Sequence, residues 1–305
     1  NSLPTLDEFH SAGKVEIEQG GESILERLEY AQQDMEWMSD GQPVSTEAKE
    51  TITMAIYPWR FGIAAVRINK TDELKAQASE IAAMDFAESQ IRAARQGLRT
   101  GVNTSLWGAQ SAKSMLGMQD MIKDAPTVGT LGGIDQSLAA NSWFRNTAYT
   151  TGHTFTTKTV ADTYDGWVAL GANYESASDA GEEVTHIAMG STLYGKALST
   201  LESGTYLRFT GGGRRKLDAG GQAVDDGPMF RQAKIYKDRA VPASDIYEWN
   251  MNTIKMKIMA GANFTKTPFD STNITGVIGK LAFYLVGIQM VQIQPRRCFV
   301  ETAVS

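Results

Sequence analysis

Apolar residues recur at helical spacing through one long polar segment, TDELKAQASEIAAMDFAESQIRAARQGLR at residues 71–99. Acidic residues occupy the first turn of this segment and arginines occupy its last turns, an order that suits the helix dipole. At a rise of 1.5 Å per residue, the segment predicts a helix roughly 40 Å long. One face of this helix carries an apolar stripe made of Leu74, Ile81, Met84, Ile91 and Leu98.

Two earlier segments alternate apolar and polar residues with the period of a β-strand. They are GGESILERLEY at 20–30 and ITMAIYPWRFGIAAVRI at 52–68, and the turn-forming SDGQP at 39–43 lies between them. The pattern predicts a long hairpin in which Pro58 occupies an edge or an unpaired position. Because a two-stranded hairpin is only marginally stable alone, its aromatic faces must rest on the body of the same chain or on a neighbouring copy.

The rest of the chain mixes helical and strand-like patterns. Residues 1–20 are polar and irregular and predict an arm, and residues 208–227 have the glycine-rich, charged composition of a loop. Because strands and helices do not alternate regularly, we expect an α+β fold rather than a doubly wound sheet. The other predicted elements are helices at 160–177 and 191–201 and strands at 184–189, 229–241, 253–261 and 279–293.

The composition is that of a globular protein, with 42% hydrophobic and 21% charged residues. The single cysteine, Cys298, excludes an internal disulfide and a cysteine metal cluster, and it fits a small hydrophobe in a strand. This cysteine usage predicts assembly in a reducing cytoplasm. The sequence has no run of 18 apolar residues, and its acidic start is unlike a signal peptide, so we expect no membrane segment.

The formal net charge of −6 is distributed unevenly along the chain. Residues 1–50 contain 12 acidic and 3 basic side chains, a net charge of −9, whereas residues 205–305 contain 14 basic and 8 acidic ones, a net charge of +6. Such an asymmetry can steer head-to-tail association between copies. A solvated surface with a patchy charge pattern explains the same counts equally well.

The segment GSTLYGKA, from Gly190 to Ala197, resembles a phosphate-binding loop in its glycine spacing and in Lys196. However, Ala197 stands where that loop needs a magnesium-binding hydroxyl. Leu193 and Tyr194 fill positions where small residues let backbone N–H groups surround the phosphates. The segment therefore predicts an ordinary strand–turn–helix junction rather than a nucleotide site.

Other residues that carry chemistry are scattered through the sequence. The three histidines, His10, His153 and His186, lie at spacings that suit neither a zinc site nor a catalytic pair, and no G-x-S-x-G segment occurs. No cofactor or metal is therefore expected. Without a reaction centre, the chain is predicted to be a building block rather than an enzyme.

The glycine-rich segment GGGRRK at 211–216 offers three neighbouring cations. Clustered cations can contact packaged nucleic acid or an acidic neighbour through weak electrostatic attraction. The carboxylates Asp225 and Asp226 in the same loop are expected to be solvated.

The stretch LGGIDQSLAANSWFRN at 131–146 resembles a segment of the tailed-bacteriophage major capsid proteins, with Phe144 where a second tryptophan is common. The hairpin segments at 20–30 and 52–68 also look like that family. So do WNMNTIKMKIMAGANFTKTPF at 249–269 and GKLAFYLVGIQMVQIQPRRC at 279–298, where Cys298 departs from the expected polar or glycine residue. The matches follow the family order from about residue 20 to residue 302.

The resemblance implies a Hong Kong 97-like capsid fold of the α+β class. The family assembles as pentamers and hexamers into an icosahedral phage head around double-stranded DNA, without cofactors and without catalysis. The implied location is the virion shell after assembly in the host cytoplasm. The implied partners are further copies, neighbouring capsomers, scaffold, portal, decoration proteins and packaged DNA, but no membrane. The implied parts are an N-terminal arm (1–20), an E-loop hairpin (21–70), a peripheral domain with a spine helix at 71–99 (71–131 and 250–305) and an axial domain (132–249).

The same resemblance gives the candidate interaction residues. An E-loop lying over an adjacent subunit makes the hairpin aromatics the inter-subunit candidates, and Trp59→Ala is predicted to weaken shell assembly while the subunit still folds. Two rivals stay open, a cellular nanocompartment shell of encapsulin type and a nucleotide-dependent enzyme using Lys196. The inter-subunit candidates are Trp37, Met38, Tyr57, Trp59 and Phe61, and the axial-loop candidates are Arg214, Arg215 and Lys216.

Overall fold

The structure is a computed structural model of the 305-residue chain. It describes residues 3–33, 35, 37, 39–40, 49–69, 80–150, 153–155, 166–178, 183–202, 216–217, 223–224, 229–271 and 279–305. Among these residues, no helix is both long enough and apolar enough to cross a bilayer.

Helices and strands follow one another irregularly, as an α+β fold requires. The helices are Pro4–Ser11, Glu80–Trp107, Met118–Met121, Gly166–Ala177 and Ser191–Glu202, with 3-10 turns at Ala139–Phe144, Ala260–Ala262 and Pro295–Arg297. The strands up to the middle of the chain are β1 (Val15–Glu18), β2 (Ser23–Glu29), β3 (Ile52–Pro58), β4 (Arg60–Asn69), β5 (Thr130–Leu131), β6 (Ile134–Asp135), β7 (Thr147–Tyr149), β8 (His186–Met189) and β9 (Lys216–Leu217). The later strands are β10 (Ala223–Val224), β11 (Met229–Phe230), β12 (Ala233–Lys237), β13 (Ile246–Trp249), β14 (Ile254–Met259), β15 (Thr265–Lys266), β16 (Asp270–Ser271), β17 (Gly279–Gln292) and β18 (Cys298–Glu301).

The first sheet is built around the long strand β17. Along one edge, β17 pairs antiparallel with β14, which pairs in turn with β1 in parallel. Along the other edge, β17 pairs with β4 over ten residues, from Gly279 opposite Asn69 to Ile288 opposite Arg60. The helix Glu80–Trp107, called the long helix below, packs on β4 and β17.

The second sheet has the strand order β11–β12–β8–β13–β18–β7 and contains both parallel and antiparallel pairs. Its central strands β8, β13 and β18 are almost entirely buried, since both faces are covered. One face contributes Tyr247, Trp249 and Val300 to a large core shared with the first sheet. The other face contributes Ile246 and Phe299 to a smaller core beneath the helix Gly166–Ala177.

The predicted hairpin forms, but its second strand is shorter than the sequence indicated. Strand β2 pairs with β3 from Ser23 opposite Pro58 to Glu29 opposite Ile52. The prediction of a single strand at 52–68 is wrong. The strand is interrupted at Trp59, and the following residues form β4 in the first sheet. The large apolar residues change there from even positions (Ile52, Met54, Ile56) to odd ones (Trp59, Phe61, Ile63), but this shift alone does not identify the new partner strand.

The predicted irregular arm is also wrong in part, since residues 4–18 form a helix and a strand. Pro4 occupies the first turn of the helix, where its missing N–H is tolerated. Leu3, Leu6 and Phe9 follow at helical spacing and are buried in the large core. Burial of this short apolar stripe stabilises a helix whose sequence is otherwise polar.

The long helix ends at Trp107, eight residues beyond the predicted end at 99, and the predicted residues 71–79 lie outside the described part. Its last turns contain Gly101, Asn103 and Thr104, which have low helix propensity. Tertiary packing outweighs that propensity, because the apolar stripe continues past Leu98. The buried residues of this continuation are Val102, Leu106 and Trp107.

Candidate inter-subunit surface

The β2–β3 hairpin carries apolar side chains on both faces, and the charged Arg27 and Glu29 also lie on the outer one. On the inner face, Ile24, Leu28, Ala55 and Tyr57 are buried in the large core. On the outer face, four large apolar side chains are each between 41% and 56% exposed, and two of them lie directly opposite each other in the register. These four residues, called the outer face below, are Leu25, Ile52, Met54 and Ile56. An antiparallel ribbon with one solvated face normally alternates apolar and polar residues, so this outer face needs a cover.

The inner face of the hairpin is fixed to the body of the chain by polar contacts. The Tyr57 hydroxyl donates a hydrogen bond of 2.9 Å to the carbonyl oxygen of Gln292. Burial raises the pKa of Tyr57, so this hydroxyl keeps its proton as donor. The Ile56 N–H donates to the Gly132 carbonyl oxygen over 2.9 Å, and the rings of Tyr30 and Trp143 stack 5.1 Å apart.

The GGID stretch packs against the inner face of the hairpin. Gly132 and Gly133 have positive φ angles of 57° and 79° and turn the chain from β5 into β6. A Cβ atom at Gly132 would lie 2.7 Å from Cζ of Tyr57 and 2.9 Å from Cβ of Ala55. Only glycine lets this turn approach the hairpin so closely.

Side chains that follow the GGID stretch hold the same loop together. Asp135 accepts hydrogen bonds from the Ser137 hydroxyl and backbone N–H, and these bonds lower the pKa of Asp135. Arg145 donates to the backbone carbonyl oxygens of Gln136 and Leu138. The Gln136 amide is fully buried, donates to the Phe144 carbonyl oxygen and accepts from Lys123. The residues that carry the sequence resemblance therefore stabilise the local structure of this loop. The resemblance gave no indication that Lys123 is their partner.

Acidic residues of the hairpin and of β1 pair with lysines of β14. The Lys257 ammonium donates to Glu18 and Glu26 over 2.6 Å each, although only 5% of its side chain is exposed. Burial acts to lower the pKa of Lys257, but the two hydrogen bonds outweigh it and raise that pKa. Lys255 contacts Glu16 at 3.1 Å and Glu26 at 3.5 Å. These pairs join β1, β2 and β14 within one chain.

The N-terminal helix is held by a second polar cluster. Glu8 accepts a hydrogen bond of 2.6 Å from Lys234 and lies 3.5 Å from Nε2 of His186. Burial acts to raise the pKa of Glu8, but the hydrogen bonds to His186 and Lys234 dominate and lower that pKa to about 2. Asp238 accepts from the Thr5 hydroxyl over 2.7 Å, and the Trp107 indole N–H lies within hydrogen-bond distance of both partners.

These clusters bear on the charge asymmetry, for which the sequence left both steering between copies and a patchy solvated surface open. The acidic start of the chain meets the basic last third inside one subunit, through Glu8–Lys234, Glu18–Lys257 and Glu16–Lys255. The carboxylates used in this way do not need a neighbouring copy as their partner. Steering between copies is therefore not required to explain the charge counts.

The structure separates the predicted inter-subunit residues into three groups. Tyr57 and Trp59 are buried within their own chain, so the base of the hairpin rests on the body of the same subunit. Trp37 is 89% exposed and Phe61 is 51% exposed, so both keep surface for a neighbour. Met38 lies outside the described residues.

Of the predicted axial-loop residues, Arg214 and Arg215 lie outside the described part of the chain. Lys216 begins β9, which pairs with β10 as a two-residue ladder. The contact of these cations with nucleic acid stays a prediction.

A groove runs beside Phe61, between β4 and the long helix, and encloses about 270 Å³. Its walls are mostly apolar, and Gly97 and Gly101 leave open space on the helix side. Together with the exposed Ile63, the groove extends the apolar surface beyond the hairpin.

The GSTLYGKA segment forms the predicted strand–turn–helix junction between β8 and the helix Ser191–Glu202. A Cβ atom at Gly190 would lie 3.0 Å from the Pro242 carbonyl oxygen, so this glycine serves close packing. Leu193 and Ala197 are buried in the smaller core, while Lys196 lies at the surface. The glycine spacing of this segment thus has a structural explanation.

The remaining candidates for chemistry also have structural partners. Cys298 is buried in β18, where burial raises the pKa of its thiol to about 11. His186 lies in β8 and contacts the Thr185 hydroxyl at 2.8 Å. Within the described ranges, no group of three or more His, Cys, Asp or Glu side chains is arranged to hold a metal ion.

No protein-family model matches the sequence, and no curated protein matches it either. Solved structures match over nearly the whole chain. A capsid chain of Cyanophage A-1(L) superposes with a TM-score of 0.68 and 15% identity, covering 99% of this chain and 93% of its own. The capsid of an empty GTA particle gives a TM-score of 0.59, 13% identity and coverages of 100% and 91%. The capsid of Cyanophage P-SCSP1u superposes with a TM-score of 0.54 and 13% identity, covering 96% of this chain and 86% of its own.

These matches establish the fold. The chain has the α+β fold of phage capsid proteins, which confirms the Hong Kong 97-like class implied by the sequence resemblance. At 15% identity or less, the likeness concerns the fold alone.

Proposed function

We propose that the chain is a major capsid protein that assembles as pentamers and hexamers into an icosahedral phage head around double-stranded DNA. The observation that carries this proposal is the match of the whole fold, over 96–100% of the chain, to capsid chains of several phages and a GTA particle. A structural role without catalysis agrees with this fold. The virion shell is the corresponding location, reached by assembly in the host cytoplasm.

The proposal also assigns a role to each part of the chain. Residues 1–20 are the N-terminal arm and 21–70 the E-loop. Residues 71–131 and 250–305 form the peripheral domain, and residues 132–249 form the axial domain. The first sheet with the long helix supports the peripheral assignment, and the second sheet with its covering helices supports the axial one, except that β18 (Cys298–Glu301) lies in the second sheet although its residues fall in the peripheral range.

The hairpin is the proposed contact between copies. Its outer face stays uncovered in the single subunit although its inner face is already anchored. Trp37 and Phe61 are further exposed aromatic side chains that are available to a neighbouring copy. Burying one such side chain against a neighbour stabilises the contact by about 1.5–3 kcal/mol at most. Symmetry repeats the contact throughout a closed shell.

Further partners are proposed from the capsid role. Scaffold, portal and decoration proteins would contact the shell, and Arg214, Arg215 and Lys216 would contact packaged DNA without sequence specificity. One matching structure is the procapsid of satellite phage P4 with its size-determination protein, at a TM-score of 0.56 and 6% identity. The match supports a separate assembly protein only by analogy of fold.

The two rival functions are less favoured. A nanocompartment shell would share this type of fold, but the matching structures named here are capsids of phages and a GTA particle. A nucleotide-dependent enzyme would need an open loop at Gly190, which instead packs against the backbone at Pro242. A thermal shift with ATP and magnesium tests this rival, and no shift is expected for the capsid role.

The variant Ile56→Asp tests the proposed contact. Ile56 lies directly opposite Leu25 on the outer face and is half exposed, so the substitution should leave the free energy of subunit unfolding unchanged within about 0.5 kcal/mol. The yield of assembled particles in sedimentation should fall at least tenfold, because a carboxylate would be buried without a partner. Val128→Asp, at an exposed apolar residue in a turn, is the matched control and should assemble normally. Normal particle yields from Ile56→Asp would contradict the hairpin contact.

A further inference from the structure

Two carboxyl groups lie on one face of the second sheet, inside the smaller core. Glu248 of β13 is 0% exposed and Glu301 of β18 is 1% exposed. In the register of the two strands, Glu248 lies opposite Phe299 and Glu301 lies opposite Ile246. The carboxyl groups therefore belong to diagonal neighbours on one face, whose backbones are about 7 Å apart.

The surroundings of the two carboxyl groups are apolar. The helix Gly166–Ala177 covers this face and contributes its buried side chains to the same core. Trp167 packs edge-on against Phe155 at 5.3 Å and lies 5.6 Å from Phe230. The other apolar side chains of this core include Leu170, Tyr174, Ile187, Met189, Ile246 and Phe299.

The two carboxyl groups differ in their partners. Glu301 contacts Nδ1 of His153 and accepts a hydrogen bond of 3.2 Å from the Asn173 amide, which projects from the covering helix. Both oxygens of Glu248 are buried without a hydrogen-bond partner in the described part of the chain. A buried carboxylate in such a position is strongly unfavourable, whereas a protonated carboxyl group is tolerated.

Among the described residues, two charged groups act on Glu248. Glu301 from β18 contributes a negative charge, and His153 lies beyond Glu301. Arg231 from the turn after β11 contributes a positive charge, but its guanidinium is partly exposed and pairs with Glu175 at 2.6 Å. Burial and, next, the charge of Glu301 raise the pKa of Glu248 well above its ordinary value, against the smaller effect of Arg231.

We propose that the helix Gly166–Ala177 and strand β18 form a proton-operated latch on the second sheet, with Glu248 as the titrating group. The helix and the strand stay packed over Glu248, as a closed layer, while Glu248 holds its proton. When the layer opens, Glu248 meets water and releases that proton. This device belongs to the single subunit and goes beyond shell assembly.

The direction of the pH effect follows from the order of the two states. The unfolded or opened state loses the Glu248 proton near its ordinary pKa of 4.5, and the closed state keeps it to higher pH. Opening is therefore insensitive to this group below about pH 4.5. Above that pH the opening equilibrium rises by up to tenfold per pH unit, until the pH reaches the raised pKa of the closed state.

Hydrogen exchange of the full-length chain tests the latch. Exchange at the amides of Gly166–Ala177 and Cys298–Glu301 is measured at pH 5 and pH 8 in one assembly state, and corrected for the intrinsic chemical rate. We expect the opening constant of the wild type to increase with pH at least tenfold more than that of Glu248→Gln. Because other groups also contribute to the pH response, only this difference between the two proteins reports on Glu248.

Two further variants make the test decisive. Glu175→Gln alters an exposed carboxylate of the same helix and should keep the wild-type pH response. Glu248→Leu provides a second neutral side chain should the glutamine variant not fold, and it should exchange slowly at both pH values. An equal pH response in the wild type and in either neutral variant at position 248 would overturn the proposal. A reduced response in Glu175→Gln equal to that of the neutral variants would do the same.

Discussion

At the residue scale, Gly132 shows how closely the GGID turn and the hairpin fit. Its positive φ angle is shared by Gly133, but only Gly132 lies within contact distance of Tyr57 and Ala55. A Cβ atom at Gly133 would meet open space. Substitution of Gly133 therefore tests backbone strain alone, whereas substitution of Gly132 adds a steric clash.

We expect Gly132→Ala to lower the free energy of unfolding by about 1–3 kcal/mol more than Gly133→Ala. Both variants strain a left-handed backbone, but only the first forces the hairpin away from the turn. Urea denaturation of the two variants measures the difference. Equal destabilisation would mean that the contact with Tyr57 contributes little.

Trp59 and Phe61 are two aromatic residues of one stretch with different surroundings. Trp59 is buried in the large core, so Trp59→Ala should destabilise the subunit itself by about 3–5 kcal/mol. The sequence-based prediction, that Trp59→Ala weakens shell assembly while the subunit still folds, did not include this loss of subunit stability. Phe61→Ala should change subunit stability by about 0.5 kcal/mol or less, because Phe61 is half exposed. Thermal unfolding measures the stability of both variants. A larger loss of stability in Phe61→Ala than in Trp59→Ala would contradict the burial of Trp59 and the exposure of Phe61.

At the element scale, the N-terminal helix depends on ion pairs as well as on apolar burial. Glu8 has a lowered pKa, so its contribution to stability is present above pH 4.5 and is lost as the pH falls toward about 2. The helix should therefore loosen in acid before the sheets do.

We expect the wild type to lose about 1–3 kcal/mol more stability than Glu8→Gln between pH 6 and pH 3. The range allows for the partial exposure of Glu8, whose side chain is 18% exposed. Glu88→Gln, at an exposed carboxylate of the long helix, is the control and should follow the wild type. Parallel pH profiles for the wild type and Glu8→Gln would show that this carboxylate does not anchor the helix.

Strong local patterns predicted the longer elements from the sequence, but not the N-terminal helix or the short strands β1, β7, β13 and β18. The strand expected at 279–293 is β17 (Gly279–Gln292), and the strand expected at 253–261 contains β14 (Ile254–Met259). The helices ending at Ala177 and Glu202 also agree within a residue at the ends that the structure describes. These elements combine length with clear periodicity, so local sequence determines them.

Tertiary partners explain what the sequence could not predict. The break at Trp59 and the extension of the long helix to Trp107 depend on which residues lie opposite in space. The Lys257 cluster and the unpartnered Glu248 likewise join segments that are distant in sequence. Of the candidate surface, the sequence indicated the hairpin and its aromatic residues, but not which residues are buried by the same chain.

At the scale of the whole molecule, acidic residues near the start of the chain pair with lysines of its last third within one subunit, and the outer face of the hairpin stays uncovered among the described residues. The acidic start and the basic end of the chain meet within one copy. Contacts between copies are therefore expected to be mainly apolar at the hairpin and less dependent on salt than the charge counts suggest.

Electron microscopy of the purified full-length chain, with a parallel sedimentation profile, tests the central claim most directly. The proposed capsid role predicts closed particles or rings of five and six subunits. The fraction of protein in these assemblies should increase as the protein concentration rises. A monodisperse monomer or dimer that does not change with concentration or crowding would contradict it.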